Sequence, residues 1–93
     1  MDKTIKEKRL QILSLAMDIN EKYGAVCFVK YFPHVDAIEV YIYNTPSKEY
    51  ENGYNNLLNA YGDERCVGLY NNVTHDHIIT TLQDILENGL KKQ

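Results

Sequence analysis

The sequence contains no tryptophan, only two cysteines and only two prolines. Cys27 and Cys66 lie far apart, in segments typical of strands, which is not the pattern of a disulfide framework. We expect both to be reduced and buried, as free cysteines commonly are. No apolar run is long enough to cross a bilayer, and residues 1–6 lack the apolar core of a signal peptide. These absences predict a cytoplasmic protein that does not enter a membrane.

Basic residues are too few and too scattered to form a nucleic-acid groove. The chain has 10 Lys and Arg against 13 Asp and Glu, and residues 24–64 hold only Lys30 and Lys48 among six acidic side chains. Neutralising a phosphate backbone requires a basic stripe, so we expect no strong non-specific binding of DNA or RNA. One basic cluster near the N-terminus is interpreted as a solvated helix face: Lys3, Lys6, Lys8 and Arg9.

Motifs of catalysis and of metal binding are missing as well. The sequence has no glycine-rich phosphate loop, no Gly-x-Ser-x-Gly and no His-Glu-x-x-His. His75 and His77 are two positions apart, so a helix would direct them to different sides, and no cysteine joins them at zinc-finger spacing. A cysteine nucleophile would be inactive in a buried strand, because burial raises the pKa of a thiol. We therefore predict no catalytic residue, no metal site and no cofactor.

What the sequence does contain is two segments with the spacing of amphipathic helices. In residues 4–23, apolar side chains at intervals of three, four and seven share one face, and Gly24 ends the segment: Ile5, Ile12, Ala16, Ile19 and Tyr23, widened by Leu13 and Leu15. Residues 74–89 begin with Thr74 as a cap and end at Gly89. Their buried side is predicted to consist of Ile78, Ile79, Leu82, Ile85 and Leu86.

A β-hairpin is predicted between the helices. Residues 25–32 and 37–43 are rich in β-branched and aromatic side chains, and the four residues between them are typical of a hairpin connection. A four-residue loop pairs Phe32 with Ala37, and all other pairs follow from that one. One face then carries the residues expected to face the core: Cys27, Val29, Tyr31, Ile38, Val40 and Ile42. The other face pairs Lys30 with Glu39, Phe28 with Tyr41, and Val26 with Tyr43.

The middle of the chain has a weaker pattern. A short helix near residues 48–61 is predicted from helical spacing, with a loop as the alternative, on five residues: Tyr50, Tyr54, Leu57, Leu58 and Tyr61. A third strand is expected over residues 65–70. The whole chain, residues 1–93, is thus predicted to be a single α+β domain in which two helices cover one face of a small antiparallel sheet.

The hairpin also resembles known sequences. Its Tyr31-Phe32-Pro33-His34-Val35 run is similar to a Tyr-x-Pro/Gly-His-Val hairpin in small proteins of phages and prophages of low-GC Gram-positive bacteria. Those proteins often have a helix before this hairpin, and many end in another. The resemblance covers about residues 10–43 and implies an accessory phage protein, a class that includes inhibitors of host defence. Since its members are mostly uncharacterised, it implies no site residue.

The hairpin face that points away from the helices is the candidate binding surface. Aromatic side chains are enriched where proteins bind partners. The predicted site comprises Phe28, Lys30, Glu39, Tyr41 and Tyr43, with a second candidate at Tyr50, Tyr54 and Tyr61. The alternative is that the same chain or a second copy covers this face.

We therefore predict a non-catalytic interaction protein, encoded by a phage and acting in the host cytoplasm. It would bind, and thereby inhibit, a host defence macromolecule, or sequester a small ligand. The expected partner is a host protein, while a homodimer and a small nucleotide ligand stay open. Two alternatives remain: a binder of single-stranded nucleic acid or nucleotides that uses the aromatic face, and a small cysteine or histidine hydrolase.

Overall fold

A computed structural model of the chain describes residues 3–43, 56–64 and 72–89. Within them, two helices and a three-stranded antiparallel sheet pack together in an α+β fold, with strand order β1-β2-β3. The elements in chain order are α1 (Lys3–Tyr23), β1 (Cys27–Phe32), β2 (Ala37–Ile42), β3 (Asn56–Tyr61) and α2 (His75–Asn88). Neither helix is both long and apolar enough to span a lipid bilayer.

The hairpin has the predicted register. All six pairs from Cys27–Ile42 to Phe32–Ala37 are as expected, including Lys30 with Glu39. A slip by one residue would turn the apolar set of both strands to the opposite face, so burial of that set fixes the pairing. The connection is equally specific: Asp36 has a left-handed backbone (φ 49°), and its N–H donates to the Pro33 carbonyl at 3.3 Å.

The core lies between one face of the sheet and both helices. Side chains from β1, β2 and β3 meet the apolar stripes of α1 and α2 there, and burial of each large aliphatic side chain contributes about 1.5–3 kcal/mol. The cluster consists of Ile12, Ala16, Ile19, Val26, Cys27, Ile38, Val40, Ile42, Leu58, Ala60, Ile78, Ile79, Leu82 and Ile85. The prediction that the helices share one face of the sheet is confirmed.

The predicted helix near residues 48–61 is wrong over its last part, because Asn56–Tyr61 is strand β3. An apolar run this short fits both the helical and the strand periodicity, so the sequence alone does not distinguish a helix from a strand here. The unpaired edge of β2 decides it: β3 forms six pairs there and buries Leu58 beside Val40. Residues 48–55 and the predicted strand at 65–70 lie outside the described residues.

The helix ends follow the predicted signals. Gly24 adopts a left-handed backbone (φ 92°), and its N–H bonds the Asn20 carbonyl at 2.9 Å, which closes α1. At the start of α2, the Thr74 hydroxyl accepts from the His77 N–H at 3.1 Å. Before that cap, the Val73 N–H donates to the Asn59 carbonyl at 2.7 Å, which holds the entry to α2 against β3.

Three hairpin and helix residues differ from the expected faces. Tyr31 was predicted to face the core but is 51% exposed, since β1 is an edge strand of the sheet. Leu13 was expected to widen the buried stripe and is 40% exposed, because it lines the open depression between α1 and β1 and does not face the core. Val26 precedes β1 and is part of the core, not of the opposite face.

Candidate binding surfaces

Four of the predicted site residues, Phe28, Lys30, Glu39 and Tyr41, lie on the sheet face opposite the core. We call Phe28, Lys30, Glu39, Tyr41 and Tyr43 the aromatic sheet face. Because β1 and β2 alternate their side chains, the pairs Phe28–Tyr41 and Lys30–Glu39 point the same way. Strand β3 extends this surface, since Leu57 pairs with Tyr41 and Asn59 with Glu39.

Three polar and aromatic groups are in contact at the centre of this face. The Lys30 ammonium lies 5.1 Å from the centroid of the Tyr41 ring, a cation–π geometry. The Tyr41 hydroxyl donates a hydrogen bond to Glu39 Oε2. Lys30 is exposed, while Glu39 and Tyr41 are half-buried. The ring of Tyr41 is therefore held in place by its contact with the Lys30 ammonium and by the hydrogen bond from its hydroxyl to Glu39.

The remaining predicted residues differ in exposure. Tyr43 follows β2 and is buried, with its ring 5.3 Å from that of Phe28 in an edge-on arrangement. Phe28 itself is half-buried, and so is Tyr61 at the end of β3. Tyr50 and Tyr54 lie outside the described residues. Four of the five primary site residues are thus exposed or half-buried, and Tyr43 is buried with its ring beside that of Phe28.

A second surface, which is not among the predicted site residues, lies between α1 and β1. We call Leu10, Leu13, Met17, Val29 and Tyr31 the helix-edge groove. Leu10 is 56% and Met17 61% exposed, and a depression of about 290 Å³ opens between the helix and the strand. The signal was present in the sequence: positions 10, 13 and 17 form a second apolar stripe beside the buried one.

The free edge of β1 runs along this groove. Tyr43 N–H donates to the Val26 carbonyl at 2.9 Å, so the even-numbered residues of β1 bond β2 and the odd-numbered ones turn their N–H and C=O groups outward. Asn20 satisfies the first outward residue, because its side-chain amide bonds Cys27 N at 2.8 Å and Cys27 O at 2.7 Å. In the described part of the chain, the outward groups of Val29 and Tyr31 have no such partner.

A buried polar network joins the parts of the fold at one end of the core. Arg9 Nε donates to His75 Nε2 at 3.0 Å, while the two outer guanidinium nitrogens bond Asp36 at 2.7 Å and 3.0 Å. His75 Nδ1 lies 2.8 Å from Glu64 Oε1. Lys8 completes the group, 3.2 Å from Asp76 Oδ2. We call this set the Arg9–His75 network.

The protonation of His75 follows from these contacts. Arginine can only donate, so Nε2 must accept, and the proton of the neutral ring is on Nδ1, where it is donated to Glu64. Burial lowers the pKa of His75, and the nearby Arg9 and Lys8 charges lower it further, against the opposing effect of Glu64. The ring is fully buried, with both nitrogens engaged, so it has no free nitrogen for a metal or a substrate.

Arg9 was predicted to be solvated, and this is wrong. It is buried at position i+4 from Ile5 and i−3 from Ile12, which places it on the apolar stripe of α1. The spacing from Ile5 and Ile12, together with Asp36 as an acidic partner in the hairpin turn, is the sequence signal for a buried Arg9. Its guanidinium also lies 5.5 Å from the Tyr31 ring centroid, at the border of the helix-edge groove.

Cys27 is a buried thiol at the start of β1. Burial raises the pKa of Cys27 to about 12, so the sulfur stays protonated near neutral pH. Cys66 lies outside the described residues.

Comparisons of the chain with known protein families, with curated proteins and with solved structures gave no match.

Proposed function

We propose that this is a non-catalytic interaction protein that binds another protein through the aromatic sheet face. The observation that carries the proposal is the fixed group of Lys30, Glu39 and Tyr41 at the centre of the sheet, on the side away from both helices. A rigid aromatic side chain buries much area at a low cost in conformational entropy. A charged pair around it gives the contact orientation and selectivity.

The buried polar groups support a role without catalysis. A general base must reach a proton of the substrate, and His75 is fully buried with both ring nitrogens engaged. A cysteine nucleophile must be available as thiolate, and burial keeps the Cys27 thiol protonated. Among the described residues, His75 and Cys27 thus have structural roles in the fold.

The nature of the partner comes from the sequence resemblance. If the chain is an accessory phage protein, the partner is a protein of the host cytoplasm, and occupation of that partner would block its action. The mixed charge of the face fits a protein surface better than a phosphate backbone, because Glu39 stands beside Lys30.

A pull-down from host lysate tests the proposal. Tyr41→Ala removes the central ring, and we expect it to lose the partner that the wild-type protein retains. Tyr31→Ala is the matched control, since it removes an exposed tyrosine from the opposite side of the same hairpin. It should retain the partner, and circular dichroism should show that both variants are folded. Equal recovery by the wild-type protein and Tyr41→Ala would contradict the proposal.

The contact between Lys30 and Tyr41 also favours a second candidate, a nucleotide or single-stranded nucleic-acid binder. A ring beside a cation can stack a base while the ammonium meets its phosphate. Titration of the protein with an oligonucleotide, followed by tyrosine fluorescence at low and moderate salt, separates the two functions. Saturable binding that weakens with salt and is lost in Tyr41→Ala would favour the nucleic acid over the protein partner.

A further inference from the structure

The helix-edge groove is the most exposed apolar surface among the described residues. Four large apolar side chains there are between 40% and 61% exposed: Leu10, Leu13, Met17 and Tyr31. Leu10, Leu13 and Tyr31 line one depression together with Val29, and Met17 lies one turn after Leu13 on the same side of α1. Apolar side chains gathered in this way, beside a strand edge, mark a contact with another chain more often than single scattered ones do.

Charges bracket the apolar stripe in a specific order. Lys6 lies one turn before Leu10, and Glu21 lies one turn after Met17, so all of them project from the same side of α1. The stripe therefore has a positive end and a negative end, separated by 15 residues or about 22 Å. Both terminal residues are exposed.

The order of charges and apolar residues along α1 is self-complementary between two antiparallel helices. A helix with the same stripe, laid antiparallel, brings Glu21 of the second copy to Lys6, and Met17 of the second copy to Leu10. Leu13 then lies beside the twofold axis, and each ion pair occurs twice. A parallel arrangement would put like charges together at both ends. The pattern therefore selects a second copy in one orientation, as an isologous interface requires.

The strand edge fits the same approach. Strand β1 follows α1 after a short turn and lies beside the stripe, so antiparallel helices bring two β1 edges side by side and antiparallel. Val29 and Tyr31 present outward N–H and C=O groups there, while Asn20 occupies those of Cys27. Pairing of edges satisfies backbone groups that would otherwise remain bonded to water.

We propose that the helix-edge groove is the interface of a homodimer, with two α1 helices packed antiparallel across a twofold axis and Lys6 of each copy paired with Glu21 of the other. The inference does not depend on the proposed function, since the aromatic sheet face lies on the opposite side of the sheet.

Sedimentation equilibrium of the full chain over a wide range of concentration tests the interface. The wild-type protein should dimerise, and Leu13→Glu should raise the dimer dissociation constant by at least about tenfold, because it buries a charge beside the axis twice. Val35→Glu is the matched control: it makes the same kind of change at an apolar residue, 48% exposed, in the hairpin turn. Its dissociation constant should equal that of the wild-type protein.

A charge swap tests the orientation with substitutions at exposed positions only, which leave the core unchanged. Lys6→Glu and Glu21→Lys should each weaken the dimer roughly threefold to tenfold, whereas the double variant should return to within about twofold of the wild-type protein. The two residues are 15 positions apart in one helix, so they cannot restore each other within one chain.

A wild-type protein that remains monomeric at every concentration would overturn the proposal. So would a dimer that is unaffected by Leu13→Glu, or single charge variants that the double variant does not restore. Tyr41→Ala should leave the dissociation constant unchanged, whatever the outcome of the pull-down.

Discussion

At the scale of single residues, Arg9 has the most specific role. Its guanidinium bonds a neutral histidine through Nε and a carboxylate and a carbonyl of Asp36 through its outer nitrogens. Only a planar group with donors in a fork can make these contacts together, so lysine is not a substitute. The arrangement requires neutral His75, because a proton on Nε2 would face the Arg9 N–H. The network is therefore sensitive to pH.

Acidification should destabilise the protein through His75. Its pKa is lowered in the fold, chiefly by burial, below the value of 6.5 expected in the unfolded chain. The unfolded state therefore binds the proton more readily than the folded state does. The free energy of unfolding has its full value above about pH 6.5 and decreases as the pH falls below it. Urea unfolding between about pH 7.5 and about pH 5.5 avoids most of the carboxylate titration and measures the effect.

The matched variants are His75→Gln and His77→Gln. A glutamine amide can accept from Arg9 and donate to Glu64 but does not titrate, so His75→Gln should flatten the pH dependence. His77 is exposed, and its replacement should leave the pH dependence intact. A slope that survives in His75→Gln would show that another group is responsible.

Cys27 should be unreactive in the folded protein. Its pKa of about 12 leaves almost no thiolate at neutral pH, and its side chain is buried. In a Cys66→Ser variant, where Cys27 is the single thiol, a maleimide should label the protein only when urea unfolds it. Mass spectrometry gives the labelled fraction. Rapid labelling without denaturant would mean that the start of β1 opens in the native state.

At the scale of elements, the sequence predicts a strand register or a helix end correctly where the local pattern is compatible with only one structure. The hairpin register was predictable because a single alignment gave an apolar face and paired Lys30 with Glu39. Thr74 and Gly24 defined helix ends for equally local reasons. Strand β3 was not predictable, since Leu58 is buried only because Val40 lies beside it, and that contact is distant in sequence.

The two candidate surfaces show the same division. The aromatic sheet face followed from the hairpin register alone. The helix-edge groove depends on which side of α1 the sheet leaves uncovered, and that is set by the order of the strands, with β1 at the edge. The charge of Arg9 predicts exposure, whereas its position between Ile5 and Ile12 on the apolar stripe buries it.

The contact between Gly62 and the hairpin turn is an element-scale constraint. Gly62 N–H donates to the Asp36 carbonyl at 2.8 Å, and a Cβ at this position would lie 1.8 Å from Asp36 Oδ2. Gly62→Ala must therefore displace the carboxylate from Arg9, and we expect a loss of about 1–3 kcal/mol in the free energy of unfolding. Denaturant titration measures it.

A double-mutant cycle distinguishes this contact from a general effect of alanine. In an Asp36→Ala background the obstructing carboxylate is absent, so Gly62→Ala should cost much less than in the wild-type protein. An equal cost in both backgrounds would locate the strain in the backbone at Gly62 and not in the contact with Asp36.

At the scale of the whole molecule, the Arg9–His75 network joins segments that are far apart in sequence. Arg9 belongs to α1, Asp36 to the hairpin turn, Glu64 to the segment after β3, and His75 to the start of α2. Glu64 shares with Asp36 a left-handed backbone (φ 51°), so both acids sit where the chain changes direction. A small domain has a small stability margin, which makes such a junction important for cooperative unfolding.

Arg9→Met should therefore destabilise the whole domain and not only the first turns of α1. His75 Nε2 would be left buried without a donor, which costs about 1–3 kcal/mol. The exposed Lys3→Met on the same helix is the control for the loss of one positive charge and should change the free energy of unfolding little. If His75→Leu is added to Arg9→Met, no unpaired nitrogen remains, so the second substitution should cost less than it does alone in the wild-type protein. Strictly additive costs in urea unfolding would mean that the two side chains contribute separately and that their hydrogen bond does not couple α1 to α2.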